Sequence, residues 1–206
     1  MAQYCTVLGE SVGEIEIKKS RFIARLAPVS SAAEARAYLD RIRDNNKRAR
    51  HNVHAFRLYD GGVGCSDDGE PQGTAGKPVL EILTGSGVVN AEIVVTRYFG
   101  GILLGTGGLV HAYSEAAKAA IEAASPVIMR LVKNYFVSVD YSRYGRIVSL
   151  VPEFDGEVTD TVYKDNIDLS FSVPEENCGA FLASLSELTL GSVIPEEVGE
   201  GFSVKR

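Results

Sequence analysis

The chain has 206 residues, 45% of them hydrophobic, and a formal net charge of −6. That supplies apolar surface for one large core or two modest ones, and no apolar run approaches the roughly 20 residues of a membrane-spanning helix. Met1-Ala2-Gln3-Tyr4-Cys5 lacks the charged-then-apolar pattern of a secretion signal. Cys5, Cys65 and Cys178 are odd in number and widely spaced, which fits the reduced thiols of a cytoplasmic protein better than disulfides or zinc ligands.

Alternation over 14–17 and, more loosely, over 21–26 predicts two strands joined by a turn at Lys18-Lys19-Ser20, the second closed by Pro28. Ser30 or Ser31 then caps a helix with Glu34 in its first turn. Ala35, Tyr38, Leu39 and Ile42 share one face, and the helix ends near Asn45-Asn46. A strand is expected over 53–59, turned by Gly61-Gly62 into a glycine-rich loop. Residues 78–83 read as a short helix with Pro78 in its first turn, and 91–96 as a buried strand. A helix follows from Thr106 or Gly107 to about Ala123, stopped by Ser125-Pro126.

From residue 127 the pattern changes. A strand over 135–139 precedes a helix over 143–151. Strands over 157–163 and 167–173 flank Lys164-Asp165-Asn166 as a hairpin. A helix over 175–188 would bury Phe181, Leu182, Leu185 and Leu188, and Ser192-Val193-Ile194 with Val198 suggests a closing strand. The order βαββαβ is that of a ferredoxin-like domain. The expected class is α+β in two domains, 1–130 and 131–206, the first an α/β sandwich with its glycine loops gathered at one end. Charge divides at the same place: a balance of +1 over residues 1–130 and −7 over 131–206. An acidic second domain repels phosphate, so any nucleic-acid contact is expected on the first.

Two glycine-dense loops are the most unusual feature. One runs Ser66-Asp67-Asp68-Gly69-Glu70-Pro71-Gln72-Gly73-Thr74-Ala75-Gly76-Lys77-Pro78, the other Thr96-Arg97-Tyr98-Phe99-Gly100-Gly101-Ile102-Leu103-Leu104-Gly105-Thr106-Gly107-Gly108. Glycine costs about 0.5–1 kcal/mol relative to Ala in regular structure, so it is kept where the backbone needs positive φ or close approach. Such loops are either tight turns at helix starts or a surface of exposed N–H groups. Nucleotide templates fail: Gly76-Lys77 runs into Pro78, Pro71 stands where a phosphate loop needs glycine, and Val110 stands where a dinucleotide fingerprint does. No cofactor is therefore expected.

Asp67, Asp68 and Glu70 form the one tight acidic cluster. They could serve a divalent cation, but act equally as turn formers and caps, and no metal is expected. No nucleophile completes an acid/base pair with them, so enzyme activity is not indicated. His51 and His54, three apart on a strand, face opposite sides, and each histidine, His111 included, reads as structural. Arg41, Arg43, Lys47, Arg48, Arg50 and His51 form a basic run that is either a solvated helix face or a phosphate-backbone contact.

The stretches SDDGEPQGTAGKPVLEIL and VVTRYFGGILLGTGGLVHAYSEAA, with the earlier KKSRFIA, resemble the YigZ/IMPACT family. The likeness is densest over 18–122. It implies an N-terminal domain sharing the fold of a ribosomal small-subunit protein and of domain IV of elongation factor G, and a C-terminal domain like that factor's ferredoxin-like domain V. Eukaryotic relatives restrain starvation signalling to translation initiation by competing for the scaffold that activates an initiation-factor kinase. The implied function is a non-catalytic regulator of translation or stress response, with RNA, the ribosome or a translation-related protein as partner. Its binding surface would comprise Asp67, Asp68, Glu70, Gly73, Thr74, Gly76, Lys77, Arg97, Gly100, Gly101, Gly105 and Thr106, with Arg41, Arg43, Lys47, Arg48 and Arg50 as nucleic-acid contacts. Alternatives are an enzyme or binder of a phosphorylated small molecule, and an interaction module acting through the acidic C-terminal domain. Relatives often carry Lys where Leu103 stands and Arg where His111 stands, which weakens the case for an anion here.

Overall fold

A computed structural model describes residues 3–205; Met1 and Ala2, which open the segment read for a secretion signal, lie outside the described residues. The chain divides into two compact units, one spanning Tyr4–Ile128 and the other running from Met129 onward.

The first unit is built on a five-stranded sheet in the order β2-β3-β6-β4-β5. Its strands are β2 (Ser11–Ile17), β3 (Ser20–Pro28), β4 (His51–Arg57), β5 (Val63–Ser66) and β6 (Ala91–Tyr98), and every pairing is antiparallel. Period-two alternation sorts the side chains. Phe22, Ala24, Leu26, Val53, Ala55, Ile93 and Val95 face α2 (Gly76–Gly85) and α3 (Gly105–Ala124), and with Val79, Leu83, Ala112, Tyr113 and Ala116 they form the main core. Ala27 and Val94 face the other way, against Tyr38, Leu39 and Ile42 of α1 (Ala32–Asn45). Ser31 caps α1 by accepting from the Glu34 N–H, while Glu34 reaches back to the Ser30 N–H and hydroxyl, a reciprocal arrangement that satisfies otherwise orphaned donors.

Two elements were not expected. β1 (Gln3–Thr6) lies beside the segment after α2, where the Val89 N–H donates to the Cys5 carbonyl and the Thr6 hydroxyl to the Val89 carbonyl. β5 occupies what reads as the start of the glycine loop. The strand expected over 53–59 is β4 over 51–57, because the Leu58 N–H turns to the Gly62 carbonyl at 2.7 Å.

The second unit has the order βαββαβ: β7 (Val127–Val139), α4 (Tyr141–Glu153), β8 (Glu157–Tyr163), β9 (Ile167–Pro174), α5 (Cys178–Thr189) and β10 (Glu196–Val204), with a 3-10 turn at Glu175–Asn177. Strands lie β10-β7-β9-β8, all antiparallel. Tyr135, Phe171 and Phe181 stack at its centre with Ile147, Val151, Leu169 and Leu185. α4 runs through Pro152 instead of stopping before it. Leu182 is exposed, so the α5 stripe is narrower than the sequence suggests. The closing strand starts at Glu196 rather than Ser192.

Candidate functional site

The two glycine loops meet on the α2/α3 side of the first unit, because β4 and β6 pair there with His51 opposite Arg97. The Arg97 side chain is 7% exposed and that of Glu70 4%. Arg97 Nη1 donates to Glu70 Oε1 at 2.6 Å, and the Tyr113 hydroxyl donates to the same oxygen at 2.8 Å. This buried knot ties loop one to β6 and α3. Burial first, and then the neighbouring Glu70 carboxylate, push the Tyr113 phenol well above its ordinary pKa, so it remains a donor. The Arg97 guanidinium lies 5.3 Å from the Phe22 ring centre and 5.6 Å from that of Phe99. His51 Nδ1 sits 2.8 Å from the Asp68 carbonyl; since a carbonyl only accepts, Nδ1 carries the proton, and Nε2 lies 3.9 Å from Glu70.

Above this knot opens a cleft of about 420 Å³. Phe99, Leu103, Leu104 and Leu109 form its apolar wall, and Arg50, His51, Glu70 and Arg97 its polar side, with Gly105 and Thr106 at the start of α3. α3 begins on Leu104, which offers no side-chain cap, and has no acidic residue in its first turn.

The expected site residues are only partly brought together. Gly73, Gly101 and Gly105 are exposed in left-handed conformations, but Gly76 is buried, and a methyl there would come within 2.7 Å of the Ser66 backbone. Gly100 packs on the Lys19 carbonyl. Thr74 is buried and bonds the Pro71 carbonyl, and Arg97 is buried rather than on a surface.

The acidic cluster disperses. Asp67 accepts the N–H groups of Gly73, Ala75 and Gly76 and so caps α2. Burial pushes its carboxyl up, but the three donors outweigh that and hold it below the ordinary range. Asp68, at φ 44°, takes Arg43 on one oxygen and the Asn52 N–H on the other. No group of three or more acidic, His or Cys side chains among the described residues could hold a metal ion.

The basic run is also divided. Arg41 pairs with Glu10 and Arg43 with Asp68, whereas Lys47, Arg48 and Arg50 are exposed. Lys77 is exposed near Glu81, away from the cleft lining. His54 faces the α1 side and contacts buried Glu92 at 2.8 Å, where burial pushes the Glu92 carboxyl up, and His111 is exposed. Sequence reasoning missed Phe99, Leu104 and Leu109 as cleft walls and Tyr113 as the knot's third member. Their one sequence signal is apolar residues crowded around a glycine-rich helix start.

Fold and cleft together define a small two-unit α+β protein whose larger unit is organised around paired glycine loops. Residues 18–121 match the family described as Impact N-terminal domain, and residues 137–192 match a domain of unknown function, DUF1949. The chain is 36% identical over 208 residues to an "IMPACT family member" of Haemophilus influenzae, covering 97% of this chain and 100% of the relative. It is 38% identical to "IMPACT family member YigZ" of Escherichia coli over 86% of this chain and 89% of the relative. "Protein IMPACT" of Homo sapiens is 36% identical, over 46% of this chain and 31% of that protein. A solved structure described as "Crystal structure of an hypothetical protein" superposes with a TM-score of 0.64 at 34% identity, covering 97% of this chain and 98% of that one. The chain belongs to the IMPACT family.

Proposed function

We propose that this protein is a non-catalytic regulator of translation or stress response in the cytoplasm, acting by binding the translation machinery through the glycine-loop face of its N-terminal unit. Under this reading the N-terminal unit shares the fold of a ribosomal small-subunit protein and elongation factor G domain IV, and the βαββαβ unit is ferredoxin-like, as in domain V. Fold kinship is analogy and does not fix function. The observation that carries the reading is local: Lys47, Arg48 and Arg50 stay exposed, Arg50 on the cleft lining and Lys47 and Arg48 around a second hollow with Tyr98 of the second glycine loop, while neighbouring Arg41 and Arg43 are consumed in ion pairs. Cations fixed at one end of a sheet, with few base-reading groups, suit phosphate backbone.

Sedimentation with purified ribosomes tests it. The protein should co-sediment at low salt. A Lys47→Ala, Arg48→Ala, Arg50→Ala variant should bind more weakly, with a salt slope shallower by about 0.7–0.9 per lost phosphate contact. Absence of co-sedimentation at about 50 mM salt, where backbone contacts are strong, overturns the reading. Unchanged affinity and slope in the variant clear these three residues.

A further inference from the structure

We infer that the cleft between the glycine loops receives the C-terminal end of a peptide, with its carboxylate at the start of α3 and an aliphatic side chain against the leucine wall. The inference rests on reading the N-terminal unit as a binding module and names what this part of it holds.

Two independent features call for an anion. α3 is 20 residues long and starts without a side-chain cap or an acidic first turn, so its leading N–H groups and positive dipole end face the cleft at Gly105 and Thr106. Arg97, more than nine-tenths buried, lines the same cleft and has a buried Nε–H with no acceptor among the described residues. Unpaired buried donors are costly, and an orphan beside a cavity points to a missing partner. Glu70 meets Arg97 through Nη1 and leaves the Nε–H without a partner. Arg50 at the rim adds a second cation, so the net balance favours one negative group.

The walls identify what carries that charge. Leu103, Leu104, Leu109 and Phe99 form a mainly aliphatic lining, and Leu103 is 83% exposed, an apolar side chain held in solvent beside a cavity. A nucleic-acid strand would set its phosphates against leucine and find one aromatic ring where base stacking uses several. A chain terminus combines a carboxylate with an adjacent side chain, and capture of such termini in backbone N–H nests is a recurring mode. A volume of about 420 Å³ lies within the range of small-ligand sites.

The test titrates acetyl-Ala-Leu-Leu against the isotope-labelled full chain, following amide shifts, with the C-terminal amide of the same peptide, octanoate and inorganic phosphate as comparators. The free acid should bind, shifting Gly105, Thr106 and Gly107. The amide should bind at least tenfold more weakly, and octanoate and phosphate more weakly than the acid. Leu103→Glu and Arg50→Glu, both at exposed positions, should each weaken the acid tenfold or more. Equal binding of acid and amide, tighter binding of octanoate or phosphate, or no binding of the acid at millimolar concentration overturns the inference. Ribosome sedimentation reads the broader function separately: its failure with peptide binding intact removes the link to translation and leaves this site standing.

Discussion

Removing the Glu70 carboxylate should unfold the N-terminal unit's stability disproportionately for one surface-loop acid. Exposed ion pairs contribute about 0–1 kcal/mol, but Glu70 and Arg97 are 4% and 7% exposed. Breaking a buried pair by deleting one partner costs about 3–5 kcal/mol, because the remaining charge stays in low dielectric. Tyr113, fully buried, would lose the acceptor of its hydroxyl in the same step, and an unsatisfied buried donor costs about 1–3 kcal/mol on its own. The two losses share one oxygen and do not add in full. Glu70→Ala should therefore lose about 4–5 kcal/mol, a large part of the about 5–15 kcal/mol that holds a domain folded. Urea denaturation followed by tyrosine fluorescence and circular dichroism would show it, with the effect confined to the N-terminal unit. Glu70→Leu combined with Arg97→Met should recover much of the loss, since the pair is then replaced by apolar groups of similar volume. A single-variant loss below about 1 kcal/mol, or a double variant as unstable as the sum of both singles, would refute a buried, mutually dependent pair.

Gly100→Ala should cost about 3 kcal/mol, because the new methyl meets Lys19 backbone that cannot yield. Gly101→Ala, at φ 86° with open space around it, should cost about 1–2 kcal/mol; thermal melts of the two variants separate close packing from backbone conformation. Asp67→Asn should cost about 1–3 kcal/mol at pH 7 by losing charge-assisted bonds to the α2 start. Because the Asp67 pKa is depressed in the folded state, its contribution is complete above the unfolded value of about 3.9 and is lost as pH falls through the lower folded value. The gap between wild type and variant in urea midpoints should thus close below about pH 4. Phe181→Ala should cost about 3–5 kcal/mol in the C-terminal unit alone, given its contacts with Phe154 and Phe171. Limited proteolysis should cut first near Ser125-Pro126, where both residues are exposed and Ser125 is left-handed.

What the sequence made readable was whatever depends on neighbours a few residues away. α1 carries its own start signal in Ser31 and Glu34 and its own buried face in Ala35, Tyr38, Leu39 and Ile42, and the β8–β9 hairpin follows from two alternating runs around one turn. β1 and β5 are four residues each, too short for a period to register. The closing strand was expected to start at Ser192, ahead of β10, because Glu196, Glu197 and Glu200 replace alternation with an acidic edge. The partners of the acidic residues were hidden for a different reason. Asp67, Asp68 and Glu70 look alike in sequence, yet one caps α2, one joins Arg43 and Asn52, and one is buried under Arg97 and Tyr113. Those partners lie up to 43 residues away, and only strand register decides which acid meets which cation.

That division also explains why so many glycines sit where a ligand surface was expected. Gly76 and Gly100 are small because backbone passes against them, at Ser66 and at Lys19. Gly73, Gly101 and Gly105 are there because the chain must reverse with positive φ. Both uses bring loop one down onto β6 and let α3 start at the edge of the sheet, over the Arg97–Glu70 knot. The glycines therefore build the cleft without lining most of it. What it can recognise falls to the residues they position: Arg97 with its unused Nε–H, Arg50 at the rim, the uncapped start of α3, and the leucines that follow the second loop. Substitution at Leu103 or Arg50 should alter binding with the fold intact, and substitution at Gly76 or Gly100 should weaken binding only by destabilising the fold. Melting temperature and peptide affinity measured on the same four variants would separate the two groups.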